Sequence, residues 1–305
     1  MSYDIQIMSA YEKGVPVKAF FTCFQFDLIG LLTRPDVSSL ADLKGRTVYF
    51  AGNGYSTYWP WLKKKYGYTD DMAGPKGPNL QTFLVDPTSA VAGYITSEPY
   101  VAEKQNVATK FFLFASEGYP SYANTMATTS AFIDSNRDAL ARFTKASVEG
   151  WKAYMADPST GNALIKRTNA KMDDGQIEFG LRKMREVKAI ESGDAATMGV
   201  GIITEERWKK TRDFLVEAGL LISPESGGQP YDRFRDRLMF PILDARGRIV
   251  SFGGRAMNPD DRAKYLNGPE SPLFHKGATL YGLPEARRIL GAESKGEQAI
   301  VVVEG

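Results

Sequence analysis

The sequence predicts an α/β protein built from two unlike parts, on three observations. A strand, a glycine turn and a helix follow one another over 46–66, the βα unit from which α/β sheets are assembled. Helical periodicity then dominates from 130 to 217. Beyond about residue 221 the texture changes to a Gly/Pro/Ser-rich connector, ISPESGGQPY (222–231), followed by a hairpin pattern. At 305 residues, two domains are the expected number.

Composition narrows the class. With 43% hydrophobic and 24% charged residues the chain is far from a disordered signature. A net charge of +2 selects no partner, so any basic surface must be local. One cysteine, Cys23, excludes an internal disulfide. With a single histidine, His275, it also argues against a tetrahedral zinc site. Cys23 reads as a small buried hydrophobe. No apolar run reaches the roughly 18 residues of a membrane-spanning helix. The start, Met1-Ser2-Tyr3-Asp4, has no signal-type pattern, so the chain as written is expected in the cytoplasm.

The elements follow in order. VKAFFTCFQFDLIGLLT (17–33) is rich in aromatic and branched residues and predicts β-structure. SSLADLKG (38–45) is a short helical turn led by Ser and closed by Gly. RTVYFA (46–51) is a strand, and Gly52-Asn53-Gly54 turns into a helix over 55–66. Ser56 or Thr57 caps that helix, and Pro60 falls in an early turn where its missing N–H costs little. Further strands are expected at 90–95 and 111–114, with Glu98-Pro99 opening a turn and helix. One long amphipathic helix is expected over 130–155, with Asp134, Ser135 and Asn136 as alternative caps. Helices follow at 161–166, 173–187 and 205–217. In the second part, strands at 238–243 and 249–252 flank Asp244-Ala245-Arg246-Gly247, and Pro241 favours an edge position or a bulge. A helix at 280–290 and an apolar strand at 299–303 complete the pattern.

The candidate binding residues of the first part are Gln25, Tyr55, Ser56, Tyr58, Trp59, Glu98 and Asn124, with Thr57 and Trp61 beside them. The glycine turn puts most of them after a strand end, where ligands of open α/β sheets sit. Aromatic rings there either stack on a flat heterocycle or pack the helix on its sheet. Glu98 either lines a cleft, pairs with a lysine or stays solvated. Asn124 precedes a helix and offers polar contacts. GNG lacks the third glycine of a dinucleotide fingerprint. In the second part Arg235, Arg237, Arg255 and Lys264 stand among recurrent arginines. Residues alternating along a strand share a face and can meet phosphates, while Asp232, Asp236 and Asp244 allow a mixed, salt-bridged surface instead. Glu304 ends the strand VVVE, as a structural residue, a Mg²⁺ ligand or an acid/base group.

Several phrases carry a resemblance. DLKGRTVYFAGNG (42–54), YSTYWPWLKKKYG (55–67), GYITSEPY (93–100) and SVEGWKAYM (147–155) occur in an order that resembles periplasmic substrate-binding proteins of ABC importers. The subfamily is the one for thiamin-pyrimidine precursors and flavin-type heterocycles. The resemblance covers about 1–221 and implies a partial type II periplasmic-binding-protein fold, a small heterocyclic ligand and an ABC permease as partner. Intact receptors of this kind are periplasmic. Their export signal and front βα region have no counterpart ahead of Tyr3, so an unpaired sheet edge and uncovered apolar surface are expected.

YDRFRDRLMFPILDARGRIVSFGGRAM (231–257), AKYLNGPESPLFHKGATLYGL (263–283) and VVVEG (301–305) resemble the catalytic core of bacterial DNA primase over 222–305. That resemblance implies a small α+β fragment ending where the TOPRIM fold begins. It gives Arg235, Arg237, Arg255 and Lys264 as contacts to single-stranded DNA, and Glu304 as the TOPRIM glutamate. Mg²⁺ is expected only of a complete core, no other cofactor is expected, and neither is primer synthesis. EAGLL (217–221) fits both families and is the expected seam.

Overall fold

The structure, a computed structural model, describes residues 1–12, 14–77, 79–217, 221–222, 231–232, 237–244, 249–258, 260, 263–268, 274, 276–279 and 281–282. It divides into two compact units, one of Met1–Tyr68 with Met72–Asp232, the other of Thr69–Asp71 with Arg233–Gly305. No helix among the described residues is long and apolar enough to cross a membrane.

The first unit opens with α1 (Asp4–Glu12), β1 (Val17–Phe24) and β2 (Ile29–Thr33). Then come β3 (Val48–Phe50), α2 (Trp59–Tyr66), β4 (Ala73–Pro75), α3 (Gln81–Val85), β5 (Ala90–Tyr94), α4 (Glu98–Lys104), β6 (Lys110–Leu113) and β7 (Ala123–Thr129). The helical tail is α5 (Ser130–Ser135), α6 (Arg137–Ala156), α7 (Ser159–Thr168), α8 (Asp174–Glu186), α9 (Ala195–Met198) and α10 (Glu205–Glu217). A short ladder of β8 (Leu221–Ile222) and β9 (Tyr231–Asp232) ends it.

The main sheet has the order β4-β3-β5-β2-β6. β3 runs parallel to β4 and β5, whereas β2 runs antiparallel to β5 and β6. Its core joins Leu31, Val48 and Phe50 to Trp59 and Leu62 of α2. Trp59 and Phe50 are each 1% exposed, and burial of such a side chain stabilises the fold by about 1.5–3 kcal/mol.

β1 and β7 form a separate antiparallel pair. The apolar run 17–33 is therefore two strands of different sheets. Residues 25–28 cross between them, held by Asp27 N–H donating to the Ser121 carbonyl (3.0 Å). Cys23 is buried in the cluster on β1, with Phe21, Phe24 and Ile190. α6 lies over β1 through Phe24–Trp151 and Phe20–Phe143 edge contacts (5.3 and 6.3 Å). None of the residues of α5, α6 or α7 is fully buried, and Phe132, Phe143 and Leu164 are about half exposed.

Two predicted helices have different limits. The first begins at Trp59, because 52–56 takes a tighter 3₁₀ turn; the Ser56 and Thr57 hydroxyls donate back to the Asn53 carbonyl (3.2 and 3.0 Å) and so cap nothing. The long helix breaks at Asn136, and its start is capped by Thr129, whose Oγ1 accepts from Phe132 N (3.2 Å). α1, β4, α3 and β7 had no clear signal.

In the second unit β10 (Arg237–Leu243), β11 (Ile249–Ala256) and β12 (Tyr265–Asn267) form an antiparallel sheet in that order. β10 is an edge strand, which accommodates Pro241, and the register slips just beyond it between Ile242 and Leu243. Ile242, Val250 and Phe274 form its buried cluster. The expected helix at 280–290 and strand at 299–303 lie outside the described residues, apart from the turn at 281–282.

Candidate functional site

Parallel pairing brings the carboxyl ends of β3, β4 and β5 to one edge of the main sheet. β2, running the opposite way, starts there. That edge therefore receives the 52–56 turn, Lys76, Tyr94, Glu98 and Asp27.

The turn after β3 is compact because Gly54 has no side chain. A Cβ there would stand 2.6 Å from both the Phe50 ring and Tyr58 Oη. Phe50 in turn touches the rings of Tyr55, Tyr58 and Trp59, with centroids 4.7, 5.9 and 4.6 Å away. Tyr58 (3% exposed) and Trp59 are core side chains, and Trp59 also meets Tyr68. Tyr55 is partly buried and Ser56 exposed at the edge. Of the two readings for these aromatics, packing holds for Tyr58 and Trp59, and Tyr55 is the ring left at the rim.

Glu98 is pinned by its surroundings. Its Oε1 accepts from Lys76 Nζ (2.6 Å), and its Oε2 accepts from Tyr94 N (2.7 Å) and from the Ser97 hydroxyl. Both side chains of the pair are mostly buried. Gly93 makes room for it, since a Cβ there would come 2.2 Å from the Glu98 carboxyl carbon. The Tyr94 and Tyr3 hydroxyls share a hydrogen bond (2.6 Å). Burial pushes the Asp27 carboxyl up to about 7, and the nearby Asp4 charge adds to this while Ile29 N–H opposes it. The Asp27 charge is felt by Tyr3, Tyr58 and Tyr94, whose phenols are raised chiefly by burial.

Gln25 stands elsewhere. It is 1% exposed, its Nε2 donates to the Ile202 carbonyl (3.0 Å), and its own carbonyl accepts from Arg207 Nη2 (2.9 Å). It ties the crossing segment to the helical tail instead of reaching the strand-end turn. Asn124 does not precede a helix but lies in β7 with a left-handed φ of 55°, half-buried. Lys76, Tyr94, Tyr3 and Asp27 were missed. Lys76 directly after β4 and Tyr94 at the end of β5 carry a positional signal, whereas Tyr3 ahead of α1 and Asp27 in the crossing before β2 carry none.

In the second unit the β10–β11 register pairs Arg237 with Ala256 and Leu238 with Arg255. Directly paired residues share a face, so Arg237 and Arg255 lie on opposite faces of the sheet. Arg255 sits over the Tyr265 ring (6.0 Å), and Arg237 Nη1 donates to the Gly254 carbonyl (3.3 Å). Ala256 N–H donates to the Lys264 carbonyl (2.8 Å), which continues the register and puts Lys264 on the side of Arg237. The expected common basic face is therefore reduced to Arg237 and Lys264. Arg235 and Glu304 lie outside the described residues.

Comparison with known proteins gives two family matches. The family described as "NMT1/THI5 like" matches residues 1–161, and "DNA primase catalytic core, N-terminal domain" matches residues 197–287. The DNA primase of Pseudomonas putida is 56% identical over 91 residues, 30% of this chain and 13% of that protein. That of Escherichia coli K12 is 47% identical over 96 residues, 32% of this chain and 16% of that protein. The matched stretch thus spans 13–16% of the length of these primases. Among solved structures, the periplasmic aliphatic sulphonate binding protein SsuA from Escherichia coli is similar at a TM-score of 0.53 and 12% identity, covering 90% of this chain and 83% of that one. At that identity the likeness concerns the fold alone.

Proposed function

Since the chain belongs to the NMT1/THI5-like family through residues 1–161, with a primase-core fragment after it, we propose that its larger part binds a flat heterocycle, thiamin-pyrimidine or flavin-like, at the carboxyl-end edge of the main sheet. One observation carries this reading: three parallel strand ends converge there on Tyr55, Tyr94 and the buried Lys76–Glu98 pair. The Tyr55 ring supplies a stacking surface, the Tyr94 and Tyr3 hydroxyls supply donors and acceptors, and the ion pair supplies a fixed dipole to a ring substituent. Asp27, whose carboxyl burial raises to about 7, would accept from or donate to a ring nitrogen. No bond of the ligand is broken in this reading. Delivery to an ABC permease is the corresponding partner proposal. The same reading takes the sequence break between the two parts near residue 221, within a first compact unit that runs on to Asp232.

Isothermal titration of the full chain with hydroxymethyl-aminopyrimidine and with riboflavin tests the reading. One-site saturation is expected for at least one of them, weakened about tenfold or more in Lys76→Met. The absence of saturable heat with both ligands would refute it.

A second reading rests on the primase match. Arg237 and Lys264, on one side of the β10–β12 sheet, would contact the phosphates of single-stranded DNA. Binding should then be weak, salt-sensitive and lost in Arg237→Gln with Lys264→Gln. Salt-independent binding, or binding that survives the double substitution, counts against it.

A further inference from the structure

A groove of about 630 Å³ lies between α4 and α8 and touches the strand-end site at Ser97, whose hydroxyl donates to Glu98. Ser97, the N-cap of α4, and Tyr100, Val101 and Lys104 of the helix form one wall. Ile177, Gly180, Leu181 and Met184 of α8 form the other, with Ile165 of α7 and Met172 also lining it. Two polar latches fix the width at one end. Tyr100 Oη donates to Asp173 Oδ1 (2.7 Å), and Gln176 Nε2 donates to the Thr96 carbonyl (2.7 Å). Gly175 allows this approach, since a Cβ there would lie 2.3 Å from Tyr100 Oη. The volume matches a small organic ligand, and the lining is mainly apolar with adaptable methionines.

The polar groups of the groove carry a sign. Lys104 and Lys171 are exposed on its lining, with Lys104 Nζ 5.9 Å from the Tyr100 ring centroid. The acid of the lining, Asp173, is already engaged by Tyr100 Oη and by Gln176 N (2.7 Å), and those bonds hold its carboxyl below the usual carboxylate range. Two ammonium groups are thus available to an incoming anion, beside an apolar trough.

We propose that the α4–α8 groove is a second ligand site, selective for an organic carboxylate with a flat apolar body. The body lies between Val101 and Leu181 against Met184, and the carboxylate meets Lys104 and Lys171. The site goes beyond the strand-end reading and does not depend on it.

Titration of the full chain with 2-naphthoate and with its neutral analogue 2-naphthalenemethanol tests the proposal. Saturable one-site binding of naphthoate is expected. Lys104→Glu with Lys171→Glu should weaken naphthoate at least tenfold, leave the neutral analogue within about twofold, and leave heterocycle binding at the strand-end edge unchanged. Val101→Trp, which fills the trough from an exposed position, should abolish binding of both naphthalene ligands. No saturable binding of naphthoate, naphthoate affinity indifferent to the charge reversal, or retention of both ligands in Val101→Trp overturns it. Loss of heterocycle and naphthoate together in the charge-reversed protein also overturns it, because the two would then share one site.

Discussion

Asp4, fully buried, accepts hydrogen bonds from the Ser121 hydroxyl (2.7 Å), Tyr122 N–H (2.9 Å) and the Thr211 hydroxyl (3.1 Å). It thereby joins α1, the segment between β6 and β7, and α10. Arg207 of α10 adds a second staple, donating to the carbonyls of Gln25 and Pro120 (2.9 and 3.2 Å) on the two crossing segments. Asp4→Ala leaves Tyr122 N–H without its acceptor, while the Ser121 and Thr211 hydroxyls keep the Tyr122 and Arg207 carbonyls (3.0 and 3.2 Å), and should lower unfolding free energy by about 1–3 kcal/mol, measured by urea denaturation. Asp27 makes stability depend on pH. Its folded pKa, about 7, lies above the ordinary carboxylate value. The stability it contributes is therefore complete below about pH 4 and is lost as pH rises through about 7. Asp27→Asn keeps an oxygen for Ile29 N–H and removes the titration. Melting temperatures at pH 5 and 8 should show the wild type losing more than the variant, at about 2–4 °C per kcal/mol. Parallel profiles would contradict this assignment.

Among the elements, those with a strong local signal were legible. The β3–turn–α2 unit was readable from RTVYFA, the glycines and Pro60, and α8 and α10 from their periodicity. β1 and β2 were readable as strands but not as members of different sheets, because the crossing at 25–28 is set by Ser121 and Arg207 far along the chain. β7, with the polar sequence ANTMATT, is fixed by pairing with β1 and carries almost no local pattern. For the site, the strand-end location was legible, but which aromatics face inward was not. Helical spacing does not distinguish Trp59, which meets Phe50 and Tyr68, from a ring at the rim. The Glu98 environment depends on Gly93. Gly93→Ala should drive the carboxylate off Lys76 and lower heterocycle affinity about tenfold, at a stability cost of about 1–3 kcal/mol. Calorimetry together with a melting curve separates the two effects.

At the scale of the whole molecule the two family matches meet across the helical tail. The primase match reaches back to residue 197, so it includes α10, yet α10 contributes Arg207, Thr211 and Leu215 to the first unit. A helix that fits one family by sequence thus completes the packing of the other. Primer synthesis is not expected from the primase fragment. Labelled ribonucleotides on single-stranded DNA with Mg²⁺ or Mn²⁺ should yield no template-dependent product, and products from the pure chain would reverse that expectation. The central claim remains heterocycle binding at the strand-end edge, and a crystal structure of the full chain grown with the tighter-binding of the two heterocycles tests it most directly. The ring is expected against Tyr55, with a ring substituent within hydrogen-bonding distance of Tyr94 Oη or the Lys76–Glu98 pair. A ring bound away from that edge, or none at saturating concentration, would contradict it.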